Sequence, residues 1–244
     1  MITTTKILSL LFILPLVLAP ALATAAFEDG KEQQEIQAEE LASARETLKQ
    51  FASALDEAQF LAADYRQVRE TFLFGTPIVS KGRMRLRREP ACIRMDVREP
   101  KVAIIRSDAT SHLTWHEGKP RAERLVFESN ETAVTLVRLL TGDVAELEKA
   151  FAIRSFSSEK GVSRIGLVPI EKELAKQLKR LDLEIDAKSS LPLALEHQNK
   201  DGEEVRIELT NTVASKELKD AARVFDSPLP EGVRVVTRRI EKKD

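Results

Sequence analysis

Arg83-Met84-Arg85-Leu86-Arg87 and, just beyond it, Ile93-Arg94-Met95-Asp96-Val97-Arg98 alternate charged and apolar side chains without a break. Successive side chains of a strand point to opposite faces, so this period of two describes strands with one wet face and one buried face. Leu181-Asp182-Leu183-Glu184-Ile185-Asp186 and Val205-Arg206-Ile207-Glu208-Leu209 repeat the pattern nearly a hundred residues later. Working outward, Val102 to Ile105, Leu113 to Trp115, Leu125 to Phe127, Ile153 to Phe156 and Val233 to Val236 read as further strands. Turn chemistry separates them at Gly75-Thr76-Pro77, Glu89-Pro90, Glu99-Pro100, Gly118-Lys119-Pro120, Lys160-Gly161 and Asp201-Gly202. An antiparallel sheet of about ten strands tends to curl, which turns its apolar face into the inside of a trough.

Helices flank this sheet. From Glu32 to Ala63 there is neither Gly nor Pro, and Leu41, Leu48, Leu55 and Ala62 recur with Ala44, Phe51 and Ala58 between them, which predicts one long helix. Val134, Val137, Leu140, Val144, Leu147 and Phe151 have helical spacing interrupted at Gly142-Asp143, predicting two short helices, and Ser215 to Ala222 predicts a third. The fold class is therefore mainly β with helices: a curved antiparallel sheet, an N-terminal helix and short helices inserted mid-chain.

The start of the chain reads as an address. Lys6 precedes the apolar run Ile7 to Leu18, and small residues follow with Ala-x-Ala sites ending at Ala23 and Ala25. This is the pattern of a secretory signal peptide over residues 1–25, ahead of a single domain over 26–244. The run is shorter than a membrane span and carries Pro15 and Pro20. A net charge of −1 provides no general field for nucleic acid, and the lone Cys92 leaves no internal disulfide to form.

Few residues suggest chemistry. His112 and His116 share one strand face but lack a convincing third ligand, so they read as solvated hairpin residues rather than a metal site. His197 reads as a strand-end polar residue, and Cys92 as packing in an alternating strand with no His beside it. Arg83, Arg85, Arg87 and Arg88 lack the interleaved aromatics of a nucleic-acid patch, so they read as a solvated outer face in preference to a partner-docking patch. Trp115 fits plain core or a pocket wall equally. The glycosylation pattern Asn130-Glu131-Thr132 is too short to carry weight. No nucleophile elbow, phosphate loop or zinc motif is present. The expectation is a non-enzyme without cofactor or metal.

In order and spacing these segments resemble the outer-membrane lipoprotein carrier (LolA) family, from about Leu61 to Val236. Leu61-Ala62-Ala63-Asp64-Tyr65-Arg66-Gln67 is similar to its opening aromatic-x-Gln strand, and Gly82 to Pro90 to its Gly-led basic strand. Ser107-Asp108 with Leu113-Thr114-Trp115 is similar to its Ser-Asp-Gly and Leu-Trp hairpin, although Ala109 stands where the family has Gly. Leu181 to Leu195 and Val205 to Thr212 look like its last long strands, and Val224 to Val235 like its closing Pro- and Gly-containing segment. Glu89 is inserted before Pro90, so the family's strand arginine falls on Arg88 or Arg87.

The resemblance implies an unclosed (half) β-barrel with a helical lid, in the periplasm, that takes acyl chains from an inner-membrane exporter to an outer-membrane acceptor. The cargo would be a lipoprotein or a lipid, the protein a monomer. Under this reading Met84, Leu86, Ile93, Met95, Val97, Leu183, Ile185, Ile207 and Leu209 line the trough. Trp115 and Phe127 sit near its rim, Val134, Val137 and Leu140 belong to the lid, and Arg88 latches it. The same side chains could instead form a filled core in a sensor module that binds a protein partner and no lipid. An exported hydrolase would need a polar cluster inside the trough.

Overall fold

The computed structural model describes residues 36–56, 58–71, 75–127, 139, 144–226 and 229–240. The expected signal peptide, Asn130-Glu131-Thr132 and the lid residues Val134, Val137 and Leu140 lie outside them.

Alternation does what it predicts. Twelve strands form one sheet in the order β12-β6-β5-β4-β3-β2-β1-β11-β10-β9-β8-β7, curved and not closed into a barrel. Strands β1 (Phe60–Glu70), β2 (Ile78–Arg87), β3 (Cys92–Glu99), β4 (Ala103–Asp108), β5 (Ser111–His116) and β6 (Arg121–Val126) meander in one direction. The other direction holds β7 (Phe151–Glu159), β8 (Val162–Pro169), β9 (Leu178–Asp186), β10 (Pro192–Asn199) and β11 (Glu204–Ser215). Central β1 pairs antiparallel with both β2 and β11 and so joins the two meanders. One ladder departs from the antiparallel expectation: β12 (Arg234–Arg239) runs parallel to β6.

Helix α1 spans Ala38–Leu55 and buries Ala44, Leu48, Phe51 and Leu55. The helix expected to reach Ala63 ends at Leu55. Ala62 lies in β1, where Leu61, Ala63 and Tyr65 are buried in alternation. Pairing with two neighbours fixes this segment as strand despite its alanines, because tertiary contacts outweigh intrinsic propensity. Likewise the helix expected from Ser215 is displaced: β11 runs to Ser215, and the helix, α4, is Ala221–Phe225. Two further short helices are α2 (Val144–Ala150) and α3 (Lys172–Ala175).

Register defines two faces. Met84 stands opposite Met95, which stands opposite Ile105; Leu86 pairs with both Leu61 and Ile93. These side chains and those of β8–β11 form one buried cluster with Leu48, Phe51 and Leu55 of α1, and with Leu139, Leu147 and Leu174. Gly82 sits on this face beneath Tyr65, and a Cβ there would fall on the backbone carbonyl of Asp96, so the close β2–β3 approach requires glycine. The opposite, outer face carries Arg83, Arg85, Arg94 and Asp96. It is not simply solvated, because the segment from Leu218 through α4 folds back over it. Phe225 is fully buried there, its ring stacked on Phe60 with centroids 6.0 Å apart and the Arg87 guanidinium 5.0 Å from its centroid.

Candidate functional site: the inner face

Nine of the predicted trough residues come together. Met84, Leu86, Ile93, Met95 and Val97 supply the β2–β3 half, and Leu183, Ile185, Ile207 and Leu209 the β9–β11 half; none is more than 5% exposed. Leu61, Ala63 and Tyr65 of β1 bridge the halves, and the sequence reading missed them because their alternation was hidden inside an alanine-rich stretch. It also missed that α1 supplies the opposing surface.

Two rim residues fall elsewhere. Trp115 pairs with Ile104 on the outer face, and its indole Nε1 donates to the Lys119 carbonyl at 2.9 Å, so it belongs to the hairpin end and not to the trough. Phe127 is buried just beyond β6 but outside the inner cluster, with its N–H donated to the Thr110 carbonyl at 2.9 Å. Of the two candidate latch arginines, Arg88 reaches the helix. Its Nη2 donates to the Leu55 carbonyl at 2.8 Å and its Nη1 to the Asp56 carbonyl at 3.0 Å. A helix C-terminus leaves carbonyls unbonded and favours a cation, so one guanidinium pins the end of α1 to the β2–β3 turn. Arg87 serves the outer face, where its Nη1 donates to Asp226 at 3.3 Å.

The inner face is polar at two places. His112 is 3% exposed on β5, not solvated as expected; Thr114 Oγ1 lies 3.1 Å from its Nε2, and burial lowers its pKa to about 4. His197 lies within β10 and is equally buried, its pKa lowered to about 4 by burial and then by the charge of Arg69. Arg69 forms a buried ion pair with Glu203 at 3.1 Å, and Asn199 Nδ2 donates to the same carboxylate at 3.0 Å. Nothing in strand periodicity marks these positions as inward, because a polar residue in an alternating strand reads as wet. Cys92 is buried on the outer face, and burial raises its thiol pKa to about 11, which suits packing and not nucleophilic attack. Among the described residues no three His, Cys, Asp or Glu side chains are grouped to hold a metal.

Alongside α1 a groove of about 530 Å³ opens between Ser43, Thr47 and Gln50 on the helix and Phe156, Ser163 and Ile185 on the sheet. It meets the buried cluster at Ile185.

The family described as outer membrane lipoprotein carrier protein LolA matches residues 56–226, most of the chain. The chain belongs to the LolA family. No curated protein sequence matches it. Solved structures similar to this LolA-family chain include an uncharacterized conserved protein from Thermus thermophilus, with 9% identity, coverage of 80% of this chain and 99% of that one, and a TM-score of 0.49. The MucA/MucB complex of Pseudomonas aeruginosa has 16% identity, coverage of 80% and 64%, and a TM-score of 0.41. A LolA superfamily protein from Nitrosomonas europaea has 10% identity, coverage of 75% and 98%, and a TM-score of 0.38. Among the described residues of this LolA-family chain no helix is long and apolar enough to cross a membrane.

Proposed function

We propose that this protein is a periplasmic carrier that holds the acyl chains of a lipoprotein or lipid against its inner face and passes them toward the outer membrane. One observation carries the reading: a continuous apolar sheet face, from β3 to β9, covered by a helix and not by a second sheet. Leu48, Phe51 and Leu55 of α1 are at most 1% exposed. At about 2 kcal/mol for each large apolar side chain they hold the helix down by roughly 6 kcal/mol. An acyl chain of about sixteen carbons gains on the order of 10 kcal/mol when buried. A lipid can therefore displace the helix with a modest surplus, which permits loading and still allows release. In loading, α1 gives way to the acyl chain, and the groove beside Ile185 is where the helix begins to lift.

The second reading, a partner-binding module of the same fold that carries no lipid, is favoured by the filling of the inner face with the protein's own side chains. The two are separated by expressing the mature protein, extracting it with organic solvent, and titrating it with a fluorescent acyl probe. The carrier yields co-extracted lipid by mass spectrometry and a saturable fluorescence rise that Leu183→Glu abolishes. A clean extract with no rise, from protein with an intact thermal transition, overturns the carrier and leaves the partner-binding module.

A further inference from the structure

The outer face holds a second concavity, of about 870 Å³, between β1–β4 and the returning residues Leu218 to Val224 with Leu229 and Pro230. Its walls are unevenly charged. Arg83, Arg85 and Arg94 rise from the sheet, and Lys219 and Arg223 face them from the returning segment. Among the described residues only two carboxylates, Asp96 and Asp220, share the lining.

The sheet-side charges are under-compensated. Asp96 is divided between Arg85 and Arg94, the latter at 2.7 Å. Asp64, just beside the cavity, is divided between Arg83 at 3.7 Å and Arg98 at 3.3 Å. Moreover Arg85, Arg94 and Arg106 stand directly opposite one another across three neighbouring strands. Like charges in register are unfavourable unless something answers them. Part of the answer is structural: Arg94 donates to the Val224 carbonyl at 2.7 Å and Arg106 to that of Phe225, which fixes the roof over the floor. Arg83, Lys219 and Arg223 take no part in that docking and line the space, Arg83 with Asp64 beside it. In a chain of net charge −1 this is a local, built-in excess and not a general one.

We propose that this cavity is a binding site for a phosphoryl group carried on a small polar headgroup. Guanidinium forks match oxyanions two hydrogen bonds at a time, and cations on two opposed walls suit a tetrahedral group whose oxygens point both ways. The volume far exceeds what a lone ion needs. Ile104, Leu218 and Leu229 among the charges give the carbon frame of a headgroup an apolar resting place. Among the described residues no aromatic side chain lines the cavity, so a nucleobase has nothing to stack on. The site lies on the face opposite the acyl-binding surface, and the inference stands whether or not that surface carries lipid.

Acyl-free probes keep the two separable. Glycerol 3-phosphate titrated into the full mature protein shifts backbone amide resonances of α4 and the β2–β3 pair. Arg83→Gln with Arg223→Gln weakens binding by at least about tenfold, and rising salt weakens it in the wild type. Lys160→Gln with Lys188→Gln, on hairpin turns away from the cavity, leaves it unchanged. Near-UV circular dichroism and the thermal midpoint confirm that each variant is folded. Inorganic phosphate binding as tightly as glycerol 3-phosphate shows that the carbon frame adds nothing and overturns the headgroup. Binding to phosphatidylglycerol-containing vesicles, absent with phosphatidylcholine alone and lost in R83Q/R223Q, supports it and assigns it to a lipid headgroup. No response to any of these probes, an undiminished response in R83Q/R223Q, or stronger competition by an acidic peptide than by glycerol 3-phosphate overturns the proposal.

Discussion

Two imidazoles, His112 and His197, are kept neutral by burial, each with its pKa lowered from 6.5 to about 4. In the unfolded chain both take a proton below pH 6.5, and in the folded protein neither does until about pH 4. The unfolded state therefore binds more protons between these values, and stability falls as pH falls through that window. At 1.36 kcal/mol per pKa unit the loss is on the order of 3 kcal/mol for each histidine. Asp108, held low against its burial by the Thr110 N–H and then by Arg106, and Glu184, held low by Arg206, lose their contribution as pH falls from the ordinary values of 3.8 and 4.5 toward their lowered ones, mostly beneath the histidine window. Thermal midpoints measured from about pH 7 to 4 should decline, and His112→Gln with His197→Gln should flatten the slope; an unchanged slope would mean the imidazoles are already hydrated and charged. At this scale the sequence was a poor guide to polar residues. A histidine in an alternating strand carries no mark of which face it occupies, whereas Met84, Leu86 and Met95 declare their side by being apolar.

Among the elements, α1 has the most consequential attachment. Its buried face is apolar, but its end is fixed by Arg88 through the Leu55 and Asp56 carbonyls. Hydrogen bonds from a charged donor contribute roughly 1.5–3 kcal/mol in favourable settings, and Arg88 supplies two of them on a partly exposed helix end. Arg88→Ala should therefore loosen α1 by about 1–3 kcal/mol, seen as roughly tenfold or greater acceleration of amide exchange in α1. Exchange in the central β1–β11 ladder should stay slow, and Arg87→Ala should leave α1 unaffected. Equal acceleration in both variants would show that the helix is held by its apolar face alone. Strands were legible wherever charge and apolarity alternate, as in β2, β3, β9 and β11. The boundary between α1 and β1 was not, because alanine serves both patterns and only pairing with β2 and β11 decides it. The fold-back of α4 was invisible for a related reason: covering an arginine-rich face requires partners over a hundred residues distant, such as Val224 for Arg94.

For the molecule as a whole, an unclosed sheet leaves two edges able to pair with another copy. Arginines guard one of them. β12 is exposed along its whole length and carries Arg234, Arg238 and Arg239 beside Val235 and Val236. Two copies meeting edge to edge across a twofold axis run antiparallel, which brings the arginines at the two ends of one β12 against those of the other. Like charges across a strand pair are unfavourable by roughly 0.2–1 kcal/mol each, and unpaired edges are commonly protected in this way. The net charge of −1 offers no general repulsion to do the same work. Arg238 also faces Glu123 at 3.7 Å, but both are well exposed and that pair contributes little. Arg234→Thr, Arg238→Thr and Arg239→Thr together should keep the β12–β6 backbone ladder while removing the repulsion and raising strand propensity. Light scattering after size exclusion should then find the wild type monomeric and the triple variant dimerising as concentration rises, with added salt driving the wild type toward the variant's behaviour. A triple variant that stays monomeric at every concentration would mean that the twist of the edge, and not its charge, keeps copies apart.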